Sequence, residues 1–150
     1  MTDVSALSRY ADDPVALPVT GGCTCGQLRY SIGAQPVIAL HCHCNNCQKL
    51  SGTGHGSFMI LPRVAATIEG KASDWTYIAD SGGTSTRYFC PECGTAVFAK
   101  LSLHPDGIVV TASSLDDRSQ FRPSVALFTG EARAWDKIDP ELRTFPGGLD

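Results

Sequence analysis

Seven cysteines in three short groups constrain this chain more than any other feature of it. They stand as Cys23-x-Cys25, Cys42-x-Cys44-x-x-Cys47 and Cys90-x-x-Cys93. An odd number cannot all pair as intrachain disulfides, whereas clustering at spacings of two and three is what thiolate chelation of a metal ion requires. In Phe89-Cys90-Pro91-Glu92-Cys93-Gly94-Thr95 the spacing predicts a tight knuckle whose backbone amides turn toward sulfur, with Gly94 supplying the positive φ that leaves the turn. Residues two apart on a strand face the same way, so Cys23 and Cys25 can reach one ion together, as can Cys42 and Cys44. His41 and His43 are then expected to face the opposite side.

Seven thiols divide as four plus three. The expected closed site is Cys23, Cys25, Cys90 and Cys93, because a four-coordinate ion that staples two distant segments contributes most to folding. Cys42, Cys44 and Cys47 form the expected open site, the catalytic set, which leaves one coordination position for water or substrate. Two alternatives stand beside it: a reduced triad without metal, and a second closed site completed by His43 or His55. Thiolates select zinc over magnesium or calcium, which prefer oxygen. Three anionic thiolates make zinc a weaker Lewis acid than three imidazoles would, so the set suits holding a substrate thiolate better than generating hydroxide. The chemistry expected is thiol capture, in which a small thiol of lowered pKa adds reversibly to an electrophile such as an aldehyde.

The rest of the chain suggests an all-β domain with few short helices. Apolar runs alternate with Gly, Pro, Asn and Asp, which predicts strands over 27–32, 37–42, 56–61, 64–68, 74–79, 84–90, 95–100, 107–111 and 124–128. Helical signals are confined to a turn or two after Cys44, to 114–116, and to Asp139-Pro140-Glu141, where an N-cap precedes Pro at the first helical position. Residues 1–20 are expected as an N-terminal arm, 21–136 as the zinc-binding domain and 137–150 as a C-terminal tail. With a net charge of −3 and scattered Lys and Arg, a nucleic-acid footprint is not expected. The longest stretch free of Asp, Glu, Lys and Arg, 30–48, holds Pro36, two His, three Cys and two Asn, which excludes a membrane-spanning helix. Unpaired thiols and the absence of a signal-like start point to a reducing, cytoplasmic setting.

The matching segments, Gly21-Gly22-Cys23-Thr24-Cys25-Gly26 with Arg29-Tyr30, His41-Cys42-His43-Cys44-Asn45-Asn46-Cys47-Gln48-Lys49 with Ser51-Gly52, and Phe89-Cys90-Pro91-Glu92-Cys93-Gly94, resemble the glutathione-dependent formaldehyde-activating enzyme (GFA) family, also known as the centromere protein V family. A weaker match covers 124–135. The resemblance implies a β-tent fold built around zinc-ribbon-like cysteine knuckles, one structural zinc and a second, catalytic zinc on the triad. It also implies a carbon-sulfur lyase-type activity that joins glutathione and formaldehyde into S-hydroxymethylglutathione. Family membership is a weaker warrant for activity than for fold, so a non-catalytic zinc-stabilised binding or chaperone module is the alternative, and a redox or zinc-buffering role a third.

Glutathione carries two carboxylates and an ammonium, so its pocket should offer a cation and backbone donors. Lys49 and His55 are the expected contacts, one just beyond Cys47 and the other on the small-residue loop that follows the triad. Gln48 stands where the family commonly has Arg, which weakens the case for an Arg clamp there. Arg63, Arg87 and Arg122 are further candidates for a carboxylate. Trp75, Phe58, Phe89, Phe98, Phe128 and Trp135 are expected in the core. No phosphate loop and no nucleophile elbow is present.

Overall fold

The computed structural model describes residues 3–149. In chain order the main elements are α1 (Val4–Leu7), β1 (Val19–Gly22), β2 (Arg29–Ile32), β3 (Ile38–Cys42), α2 (Asn45–Ser51), β4 (Gly56–Pro62), β5 (Ala66–Glu69), β6 (Ser73–Ile78), β7 (Thr84–Phe89), β8 (Ala96–Leu101), β9 (His104–Thr111), β10 (Val125–Leu127) and β11 (Arg143–Thr144). The fold is all-β, with two sheets and few short helices. A three-stranded sheet runs β1-β2-β5, and a long sheet runs β11-β10-β3-β4-β9-β8-β7-β6.

The centre of the long sheet is buried on both faces, which explains why β4 reads as the unbroken apolar run Phe58-Met59-Ile60-Leu61. Alternation sorts its side chains. Met59 and Leu61, with Ile108 and Val110 of β9, join Val19, Tyr30 and Ile32 of the small sheet in one core. Phe58 and Val109 join Ile38 and Leu40 of β3, Ala99 of β8, and Val125 and Leu127 of β10 in a second core. Cys23 and Cys90 belong to the first core, and Cys42, Cys44 and Cys47 to the second.

All nine expected strands are present, with ends shifted by a few residues. β5 starts late because Arg63–Ala65 closes a 3-10 turn first. The Asp139 segment is a capped turn, not a helix: the Asp139 carboxylate accepts from the Glu141 amide at 2.9 Å and the Asp139 carbonyl from the Leu142 amide at 3.1 Å. Cys44 ends up as the N-cap of α2 instead of continuing the strand that carries Cys42.

The segment expected as an arm is woven into the core. Tyr10, Val15 and Val19 are buried in it, and the Tyr10 hydroxyl donates to the Gln120 carbonyl at 2.7 Å while accepting from the Arg122 amide at 3.0 Å. In the segment expected as a tail, β11 adds a parallel strand to β10 and Leu142 is buried. Trp75 and Trp135, expected in the core, are exposed at 57% and 68%, whereas Phe58 and Phe98 are buried as expected. Trp75 sits on the edge strand β6, stacked on Tyr77 at 4.9 Å.

Candidate metal centres and the adjoining cleft

The sequence groups its cysteines by spacing, and the fold brings the groups together in two places. Cys23, Cys25, Cys90 and Cys93 converge with all four sulfurs within 4.8 Å of one another. Cys23 and Cys25 follow the end of β1, while Cys90 and Cys93 form the knuckle between β7 and β8. There the Cys90 amide donates to the Thr95 carbonyl at 3.0 Å and the Gly94 amide to the Cys90 carbonyl at 2.9 Å. Gly94 leaves the turn at φ 75°, a conformation that costs glycine little and other residues more.

The sulfur spacing suits zinc. A tetrahedral ion with Zn–S bonds of about 2.3 Å sets its sulfurs about 3.8 Å apart. Cys23 to Cys25 is 3.6 Å and Cys25 to Cys90 is 3.7 Å. Donors also aim at these sulfurs as they would at thiolates: the Leu28 amide on Cys23 at 3.3 Å, the Glu92 amide on Cys90 at 3.4 Å and Gln27 Nε2 on Cys90 at 3.1 Å. A hydrogen bond from the Thr95 hydroxyl holds the Cys93 thiol down to about 5.

Cys42, Cys44 and Cys47 form the second group, all buried and again within 4.8 Å of one another. Cys42 ends β3, Cys44 caps α2 and Cys47 lies in its first turn, where its amide donates to the Cys44 sulfur at 3.3 Å. Hydrogen bonds from the Cys42 and Cys47 side chains hold the Cys44 thiol down to about 3. The same contacts push the Cys42 thiol upward, because crowded thiolates repel once one of them is charged. A cation among the three sulfurs removes that conflict, so this donor set also fits a zinc-class ion. His43 and His55 are grouped with Asp136 instead of with these sulfurs.

Residues remote in sequence brace the triad. Gln48 Nε2 donates to the His43 carbonyl at 2.7 Å and to the Glu131 carbonyl at 3.0 Å, and Arg133 Nε donates to Gln48 Oε1 at 2.9 Å. Glu131 accepts from the Asn45 amide at 3.0 Å. Gln48 thus serves as a buttress between α2 and the 131–133 segment.

A cleft of about 370 Å³ adjoins the triad. His55, Gly56, Phe58, Arg87, Phe98 and Val109 are among its lining residues. The sulfurs lie just behind that wall: Arg87 Nη2 is 3.6 Å from Cys47 Sγ. Arg87 also donates to the Tyr77 hydroxyl from Nε at 3.0 Å and from Nη2 at 2.9 Å, and lies over the Phe58 ring at 5.1 Å. Burial opposes its charge, but the Cys47 sulfur and the Tyr77 hydroxyl favour it, and the balance strengthens the guanidinium. Of the three arginines singled out from sequence, Arg87 is the one in the cleft; the pairing Thr86↔Lys100 and Arg87↔Ala99 in β7 and β8 sets it on the same face as Ala99 and the second core. Lys49 is exposed in the last turn of α2 and is not among the cleft-lining residues.

Sequence reasoning passed over Asp136. Its carboxylate lies 2.7 Å from His55 Nδ1 and 3.6 Å from His43 Nδ1. Nothing local in a lone aspartate after Trp135 signals this meeting, which depends on the turn at 133–136 closing onto the loop before β4.

These features can be set beside known proteins. Residues 18–131 match the family model described as glutathione-dependent formaldehyde-activating enzyme. Relatives from Aspergillus flavus and Aspergillus oryzae, provisionally named glutathione-dependent formaldehyde-activating enzymes, are each 27% identical over 100 residues, covering 64% of this chain and 52% of theirs. A similarly named protein of Penicillium rubens is 29% identical over 86 residues, covering 55% of this chain and 44% of its own. The chain thus spans about half the length of the curated relatives it matches. A crystal structure of a Rhodobacter sphaeroides protein is similar in fold, with a TM-score of 0.54 at 16% identity, over 65% of this chain and 88% of that one. With the family model spanning most of the chain, from before the first cysteine to the brace at Glu131, the chain belongs to the glutathione-dependent formaldehyde-activating enzyme family.

Proposed function

We propose that this protein is a zinc-dependent enzyme of thiol-adduct chemistry, a carbon-sulfur lyase type that joins a small thiol of the glutathione class to formaldehyde. The observation that carries the reading is the three-sulfur group set directly behind a cleft whose wall presents a guanidinium. Cys23, Cys25, Cys90 and Cys93 would hold one zinc ion and join the loop after β1 to the knuckle after β7. Cys42, Cys44 and Cys47 would hold the second. Bound there, zinc supplies a soft Lewis acid that lowers the pKa of an incoming thiol and keeps its sulfur as thiolate.

The chain's own residues would do the rest. Arg87, preorganised by Tyr77 and Phe58, offers a fork of donors to a substrate carboxylate and so orients the thiol toward the sulfur group. Phe58, Phe98 and Val109 keep the inner cleft apolar, which strengthens that ion pair. The thiol sulfur adds to the aldehyde carbon; one carbon-sulfur bond forms, the carbonyl π bond opens onto oxygen, and the proton lost by the thiol ends on the new hydroxyl. No electron acceptor is needed, and the step is reversible. The names of the relatives support this choice of substrates.

A test is to mix zinc-loaded protein with glutathione and formaldehyde and follow S-hydroxymethylglutathione by NMR. Acceleration over the uncatalysed reaction that vanishes in Cys47→Ser is expected, while equal rates with and without protein would refute the reading. A second reading, a zinc-stabilised binding module, draws on the edge strand β6, where Trp75 and Ile78 are exposed. It would be favoured if zinc-loaded protein bound no thiol at all.

A further inference from the structure

Behind the loop that links α2 to β4, three donors from three segments meet. His43 lies in the turn between β3 and α2, His55 immediately precedes β4, and Asp136 closes the turn at 133–136. One donor atom from each lies within 4.8 Å of the others. His43 is held in place from its backbone, its amide donating to the Leu127 carbonyl at 2.9 Å and its carbonyl accepting from Gln48 Nε2 at 2.7 Å. Gly54 makes room for the carboxylate, since a Cβ at that position would collide with Asp136.

The His43 side chain is 2% exposed, yet its Nδ1 has no hydrogen-bond partner. The atom faces Asp136 Oδ2 at 3.6 Å, beyond hydrogen-bond length, and that same oxygen already meets His55 Nδ1 at 2.7 Å. Without a proton, Nδ1 sets one lone pair against another; with one, it has no acceptor in range. An ion between the two atoms satisfies both, and buried polar atoms left without partners call for such an explanation. His55 and Asp136 are 25% and 15% exposed in their side chains, so the group is open enough for water to supply a further ligand. His41 buttresses the far side, its ring edge-on to His55 at 4.5 Å and its Nδ1 bonded to the Ser57 hydroxyl at 2.9 Å.

We propose that His43, His55 and Asp136 form a third metal site, a two-imidazole, one-carboxylate site for a divalent transition-metal ion such as zinc or cobalt. Two nitrogens and one oxygen are borderline donors that suit zinc, cobalt or nickel, whereas magnesium and calcium require oxygen. A tetrahedral ion with bonds of about 2.0–2.1 Å to such donors sets them about 3.4 Å apart. The 3.6 Å separation is already close to that value, the 2.7 Å His55–Asp136 pair has to open, and the two imidazole donors lie within 4.8 Å of each other. The site is independent of the thiol-adduct reading, because none of its donors is sulfur.

The test is metal stoichiometry by difference. Protein is first loaded with zinc at its thiolates and freed of excess metal, and Co²⁺ is then titrated in, with bound metal counted by elemental analysis and the visible spectrum recorded. The wild-type chain should bind one equivalent more than Asp136→Asn or His55→Gln, with d–d absorption but no sulfur-to-cobalt charge transfer. The difference carries the result whatever the occupancy of the cysteines, so failure of the thiol-capture reading leaves it intact. Equal stoichiometry in wild type and variants would overturn the proposal, as would a charge-transfer band showing that the extra ion sits on sulfur. Thermal melting checks that the variants fold, and His55→Gln, at the more exposed position, carries the comparison if Asp136→Asn does not.

Discussion

At the level of single side chains, the proposed function makes separate demands on Arg87 and on the cysteines. The guanidinium is half-buried, aimed by Tyr77 and Phe58 and set against Cys47. If it receives a substrate carboxylate, Arg87→Ala should weaken thiol binding roughly 10- to 100-fold, the loss of one charged hydrogen-bonding partner, with little change in thermal stability. Calorimetry at two ionic strengths checks this, and unchanged affinity would assign Arg87 a packing role only. The cysteines should separate by site. Cys90 is fully buried and links segments far apart in sequence, so Cys90→Ser should cost on the order of 3–5 kcal/mol, as loss of a cross-link over a long loop does. Cys47→Ser should leave the chain folded but lacking the second set of ligands. Equal destabilisation of the two in thermal melts would contradict the division into a closed and an open site.

Elements that carry no cysteine hold the sheets in place. The segment before β1 is fastened by Tyr10, whose hydroxyl bridges the Gln120 carbonyl and the Arg122 amide. Tyr10→Phe removes both bonds from a buried position and should cost about 1–3 kcal/mol in denaturant unfolding, with an unchanged slope. The small sheet is tied down by Arg29 of β2, which grips Asp116, with Thr20 of β1 on the same carboxylate at 2.8 Å. Arg29 and then Thr20 hold the Asp116 carboxyl at about 2, below its ordinary 3.8. A folded pKa below the unfolded one means the stabilisation is complete above about pH 4 and is lost as pH falls through 2. The two side chains are 39% and 46% exposed, so solvent screening limits the effect to about 1 kcal/mol or less. Wild type and Asp116→Asn should therefore differ in stability near neutral pH and converge near pH 2 in acid titrations followed by circular dichroism. A constant offset across that range would show that the ion pair contributes nothing pH-dependent.

Across the whole molecule, what was legible in the sequence is what depends on short range. Alternation and turn residues revealed nine strands, and spacing together with the ligand count of zinc sorted seven cysteines into the two groups that meet in space. The knuckle at Cys90 was legible down to the φ of Gly94. What escaped depends on which segments the tertiary fold brings together. β1 and β11 are short and gain strand character only from partners already in place, β2 for one and β10 for the other. Lys49 looked like the cation near the triad because it follows Cys47, but α2 turns it to solvent, and the cation at the cleft comes from β7, forty residues on. Trp75 and Trp135 were expected inside on hydrophobicity alone, yet an edge strand and a surface turn expose them. Asp136 carried no local signal, and its meeting with His43 and His55 arises only when the 133–136 turn closes. No helix among the described residues is long and apolar enough to cross a membrane, in keeping with the polar and proline-bearing stretch before α2. The central claim, that the three-sulfur group behind the Arg87 cleft captures a thiol, is tested most directly by calorimetric titration of glutathione into zinc-replete protein. The account predicts saturable binding in the wild type that disappears in Cys47→Ser; binding that persists undiminished in that variant, or no binding to the wild type, would contradict it.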